Sequence, residues 1–114
     1  MTNPQLYKLH ASICHTLANP KRLEIIDHLR NGELSVTQLT ETLGIGQSNL
    51  SQHLAIMRQK GIVTTRREGL SVYYRLSNPK ILQACDLMRQ ILLEHLEANA
   101  ELARGEPMEK EPVS

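Results

Sequence analysis

A three-residue turn, Gly44-Ile45-Gly46, separates two short amphipathic segments and leaves them little to form except two helices that meet at a sharp bend. Before the turn, Ser35 and Gln38 have the spacing of a capping box, in which each side chain serves the other's backbone N–H. Leu39 and Leu43 follow one turn apart as buried positions, and Gly44 supplies the backbone freedom that a helix C-terminus uses. After the turn, Leu50, Leu54 and Met57 mark one face of a longer helix, Gln47 to about Gln59, which Gly61 closes. The other residues of its first turns, Gln47, Ser48, Asn49, Ser51, Gln52 and His53, are polar.

The remaining elements are expected around this pair. Leu6, Leu9, Ile13 and Leu17 recur at helical spacing and predict a first helix over Gln5 to Leu17. Pro20 suits the first turn of a second helix, whose apolar face is Leu23, Ile26 and Leu29 and which ends near Asn31-Gly32. Beyond Gly61, Ile62 to Arg67 and Ser71 to Leu76 read as two strands joined at Glu68-Gly69-Leu70. Ser77-Asn78-Pro79 then opens a last helix with the stripe Ile81, Cys85, Met88, Leu92 and Leu96. That stripe is long for a helix that only covers so small a domain. The expected fold is mostly helical with a two-stranded hairpin as a wing, in the order α-α-α-α-β-β-α. It forms one DNA-binding and dimerisation domain over 1–104, followed by a disordered acidic tail over 105–114.

Composition narrows the function classes. The chain has 114 residues, enough for one compact domain, and its core must be aliphatic because it has no Phe or Trp and three Tyr. No apolar run reaches the roughly 18 residues of a membrane span and no signal-peptide core opens the chain, so a cytoplasmic protein without membrane contact is expected. The net charge of +1 conceals an asymmetry. Arg58, Lys60, Arg66, Arg67 and Arg75 face Glu68 alone between Gly44 and Arg75, whereas the stretch from Ile81 to Ser114 is acidic. A basic middle beside an acidic end suits an anionic partner held on one face. No phosphate loop, paired carboxylates or nucleophile signature is present, and Gly44-Ile45-Gly46 lacks the preceding strand and third glycine of a dinucleotide site. An enzyme is not expected.

A short capped helix, a glycine-bearing turn, a longer helix and then a basic hairpin is the arrangement of a winged helix-turn-helix. In such a domain the second helix meets double-stranded DNA with its N-terminal residues. Gln and Asn can pair both edge groups of adenine, and Ser can donate or accept at several bases. Arg66 and Arg67 in the hairpin can reach phosphates or a narrow minor groove. A winged-helix module that binds protein instead of DNA is the competing class, and salt dependence separates the two.

Three stretches carry a family resemblance: LANPKRLEIIDHL at Leu17–Leu29, ELSVTQLTETLGIGQSNLSQHLAIMRQKGIV at Glu33–Val63, and RREGLSVYYRL at Arg66–Leu76. Over about Ser12 to Leu96 the chain resembles the ArsR/SmtB family of bacterial metal- and stress-sensing repressors. The resemblance implies a homodimer joined through the first and last helices, with recognition helices in successive major grooves of a palindromic operator. It implies an effector that releases the DNA. Carried over by position, the DNA contacts are Gln47, Ser48, Asn49, Ser51, Gln52 and His53, with Arg66 and Arg67 in the wing.

The effector is less legible. Metal-sensing relatives often carry a cysteine box shaped like ELCV; here Glu33-Leu34-Ser35-Val36 puts a hydroxyl where the first thiolate would stand, a poor ligand for soft ions. The last helix offers Asp86, His95 and Glu97 without a second His, short of a zinc set of four well-placed ligands. Cys14 and Cys85 remain, one on each helix that the family uses to dimerise. As a pair they can take a thiol modification by oxidant or polysulfide, or bind a soft metal or metalloid such as arsenite. The alternative is that both are structural thiols and the regulator senses neither metal nor thiol chemistry.

Overall fold

The computed structural model describes residues 3–105. Its elements run α1 (Pro4–Leu17), α2 (Pro20–His28), β1 (Leu34–Ser35), α3 (Val36–Leu43), α4 (Gln47–Gln59), β2 (Val63–Glu68), β3 (Ser71–Leu76) and α5 (Lys80–Ala103). They gather into two compact units, Met1–Leu82 and Gln83–Ser114. The tail expected from 105 onward lies, beyond Gly105, outside the described residues.

The helix boundaries follow from local chemistry. Asn3 and Asn19 cap α1 and α2, each followed by a proline whose missing N–H costs nothing in the first turn. Asn19 Oδ1 accepts from the N–H groups of Lys21 at 2.9 Å and Arg22 at 3.2 Å. The capping box of α3 is complete: Ser35 Oγ accepts from Gln38 N–H at 3.1 Å and Gln38 Oε1 from Ser35 N–H at 2.8 Å. Gly44 closes α3 at φ 66°, a left-handed conformation that a side chain would strain.

The hairpin pairs Val63 with Leu76 through Glu68 with Ser71, so Glu68 belongs to the strand and the turn is Gly69-Leu70. Gly69 at φ 62° takes the first central position of a two-residue turn that needs positive φ there. A third strand was not expected. β1 pairs Leu34 with Tyr74 and Ser35 with Tyr73, giving sheet order β1-β3-β2. Two residues are too few to leave an alternating pattern.

The core of the first unit is aliphatic, as the composition required. Ile25, Ile26 and Leu29 of α2, Leu39 and Leu43 of α3, Leu50, Leu54 and Met57 of α4, and Ile62 and Val63 are buried. Leu23 differs from expectation and is exposed; Ile25 takes its place. In α5 no described residue is buried, and the helix runs seven residues past Leu96, to Ala103. Among the described residues no helix is long and apolar enough to cross a membrane.

Candidate nucleic-acid interface

α4 is fixed from below and open above. Leu50 and Met57 are 0% exposed and Leu54 is 1% exposed, which pins one face of the helix to the core. Gln47, Ser48, Asn49, Ser51 and Gln52 are exposed on its first two turns. Gly46 caps the helix without a side-chain hydrogen bond, so the first backbone N–H groups point outward at the positive end of the dipole. The arrangement presents amides, hydroxyls and backbone donors together, the donor and acceptor set that base edges and phosphates require.

His53 departs from that group. It is half-buried, and its Nδ1 accepts from Arg22 Nε of α2 at 3.1 Å. Burial, and then the charge of Arg22, hold its pKa below the ordinary histidine value. Its Nδ1 edge is therefore occupied within the protein, which sets it apart from the five exposed residues of the helix start.

The two wing arginines also part company. Strand alternation puts Arg66 on the face of Thr64 and Glu68, and Arg67 on the opposite face. Arg66 Nε donates to both Glu33 carboxylate oxygens at 3.1 Å, its Nη1 pairs with Glu68 at 2.8 Å, and its guanidinium lies 4.7 Å from the Tyr73 ring centre. These bonds hold the Glu33 carboxyl below the usual carboxylate range and raise Arg66 above its own. Arg66 thus braces the wing against the residue before β1. Arg67 is exposed and makes no ion pair among the described residues. The basic surplus counted along the sequence is smaller in space, because Glu33 lies outside the counted stretch yet sits on Arg66.

Sequence reasoning missed Arg22 and Glu33 as working residues. Their partners lie 31 and 33 positions away, and each reads locally as solvated charge. Cys14 is exposed on α1 and Cys85 is half-buried on α5, with burial pushing the Cys85 thiol up. Among the described residues no three of His, Cys, Asp and Glu converge as a metal-ligand set.

Residues 19–65, which span α2 to the start of β2, match the model of bacterial regulatory proteins of the arsR family. A biofilm growth-associated repressor of Xylella fastidiosa is 41% identical over 81 residues, covering 71% of each chain. An HTH-type transcriptional regulator of Mycobacterium tuberculosis is 37% identical over 93 residues, 81% of this chain and 82% of that one. The chain belongs to the arsR family. The crystal structure of the M. tuberculosis regulator superposes with a TM-score of 0.77 at 35% identity, covering 87% of this chain and 99% of that one. A solution structure of a homodimeric winged helix-turn-helix DNA-binding domain from Mycobacterium bovis gives 0.75 at 30% identity, covering 85% and 92%. This arsR-family protein is accordingly a winged helix-turn-helix regulator of transcription that binds DNA, and not an enzyme.

Proposed function

We propose that this regulator is a homodimeric repressor that reads a palindromic operator through Gln47, Ser48, Asn49, Ser51 and Gln52, holds the backbone with Arg67, and releases DNA when its thiols are modified. The observation that carries the reading is the pairing of five exposed polar residues on α4 with three core anchors directly beneath them. Repression is favoured by the name of the Xylella relative. The dimer is favoured by the homodimeric M. bovis domain and by the apolar surface that α1 and α5 leave uncovered. The protein acts in the cytoplasm, where its DNA lies.

Three measurements on duplex binding test the reading. Affinity falls steeply with salt, by about 10³ or more between roughly 50 and 200 mM if six or more phosphates are contacted by the dimer. Gln52→Ala relaxes the preferred sequence and costs about 1–3 kcal/mol on the best duplex. Arg67→Ala weakens all duplexes alike and flattens the salt slope by about one for each phosphate that the wing no longer neutralises. Salt-indifferent binding, or a Gln52→Ala protein with unchanged preference, sinks the reading.

The effector is an oxidant or polysulfide acting on Cys14 and Cys85. Cys14 is the accessible thiol, and linkage of the two removes two protons and two electrons, the electrons passing to the oxidant. Cys14→Ser is expected to keep its grip on operator DNA under a peroxide or polysulfide dose that releases the parent. If Cys14→Ser and Cys85→Ser both release DNA like the parent, the two cysteines are structural and the signal is read elsewhere.

A further inference from the structure

The contact between Arg22 and His53 crosses three helices. Arg22 Nη1 donates to the backbone carbonyl of Thr16 at 3.1 Å, and its Nε donates to His53 Nδ1 at 3.1 Å. Thr16 lies in the last turn of α1, where carbonyls lack intrahelical partners and the dipole is negative. It is a buried polar residue, 3% exposed, with its hydroxyl donating to the Ser12 carbonyl at 2.9 Å. The backbone of Arg22 is itself held, since Asn19 Oδ1 accepts its N–H. The guanidinium thus starts from a capped helix end and spans from the end of α1 to the second turn of the recognition helix.

We infer that Arg22 is a positioning residue for DNA reading, fixing the rotation of α4 through His53 so that Gln52 and its neighbours face the base edges. The inference rests on the operator-binding reading above. His53 directly follows Gln52 in the chain, and Leu54 directly follows His53 into the core, so a tether at His53 opposes rolling of the exposed face. The fork of a guanidinium sets both hydrogen bonds at once, which a lysine ammonium on a flexible stem does not reproduce. Buried side chains alone hold the depth of a helix better than its rotation, because apolar contacts are not directional.

The tether needs an unprotonated Nδ1. Nδ1 accepts only when the imidazole is neutral with its proton on Nε2, an assignment that follows from the donor at Arg22. Of the charged groups on α2, α3 and β2, the elements packed against α4, Arg22 is the one that acts on His53. Protonation therefore sets two cations against each other, and among the described residues no carboxylate acts on His53 to relieve them. Because the folded-state pKa lies below the ordinary histidine value of about 6.5, the tether is complete above that pH and is lost as pH falls through the lowered value.

The probe is the duplex that the wild-type chain enriches from a randomised pool. Arg22→Gln is expected to bind it roughly tenfold more weakly and with relaxed preference at the Gln52-dependent positions, and Arg22→Lys is expected not to restore either. As pH is lowered from about 7.5 until the ring resonances of His53, followed by NMR on the same protein, report its protonation, wild type should lose several-fold more affinity than His53→Asn loses over the same range, because the Asn amide oxygen accepts near the Nδ1 position and does not titrate. All other residues are the same in both proteins, so the difference isolates His53. A folded Arg22→Gln protein with wild-type affinity and preference overturns the inference. So do superimposed pH profiles, which decide the matter even if Arg22→Gln fails to fold. A wild-type chain that enriches no duplex overturns the regulator reading itself, and this inference with it.

Discussion

Leu92→Glu is expected to turn a dimer into a monomer and to lower operator affinity by about 10²–10⁴, the factor that linking two half-site readers ordinarily contributes. Leu92 is 52% exposed in the single chain, and Leu87, Met88, Ile91, Leu93 and Leu96 are each more than half exposed. A lone protomer leaving so much contiguous leucine in water would be unusual among soluble proteins, where large apolar patches mark interaction surfaces. The apolar residues fall on more than one side of α5, as they would on a helix meant to be covered by a partner. A carboxylate at Leu92 stays in water while the chain is monomeric, so it costs the protomer little. On association it must be desolvated against apolar side chains, and taking a charge out of water costs several kcal/mol. Sedimentation, helicity and duplex titration separate these effects. The expected pattern is an intact helical signal, half the mass and weakened binding. A Leu92→Glu protein that remains dimeric removes α5 from the interface, and a wild-type protein that is monomeric at all concentrations removes the dimer.

Much of this architecture is legible in the sequence because its signals are local. Ser35 with Gln38, Asn19 with Pro20, and Gly44 at the end of α3 each act within one turn, and each forms as the residue types require. The polar start of α4 over Leu50 and Leu54 is legible for the same reason, since helical period alone divides the two faces. What escapes depends on distance along the chain. β1 exists because β3 offers it backbone partners some 39 residues away, not because Leu34-Ser35 reads as a strand. Arg66 reads along the chain as a DNA-facing cation, and only the fold brings Glu33 beside it. His53 reads as a DNA contact, and only the fold brings Arg22 to its ring. Charge along a sequence says what a surface could attract. Only its neighbours in space say what it has left to give.

Leu50→Ala and Ser51→Ala stand next to each other in α4 and should fail in opposite ways. Leu50 is 0% exposed in an aliphatic core, so truncation leaves a cavity that the fold can only partly close. Leu→Ala changes at such sites cost about 2–5 kcal/mol. For a domain of this size, that is a fall in melting temperature of roughly 10–30 °C. The helix most affected is the one that carries the DNA contacts, so binding near the new melting point should decline with folding and recover on cooling. Ser51 is exposed, and alanine has the higher helix propensity, so Ser51→Ala should leave the melting temperature unchanged or slightly raised. Its loss should be in DNA binding at every temperature, because the missing hydroxyl is a donor and acceptor presented to the duplex. Thermal melting and duplex titration on the two proteins give a crossed result if α4 is anchored below and reads above. A Leu50→Ala melting temperature within a few degrees of wild type would mean that the core beneath the recognition helix does not hold it, and the exposed face would then have no fixed orientation from which to read.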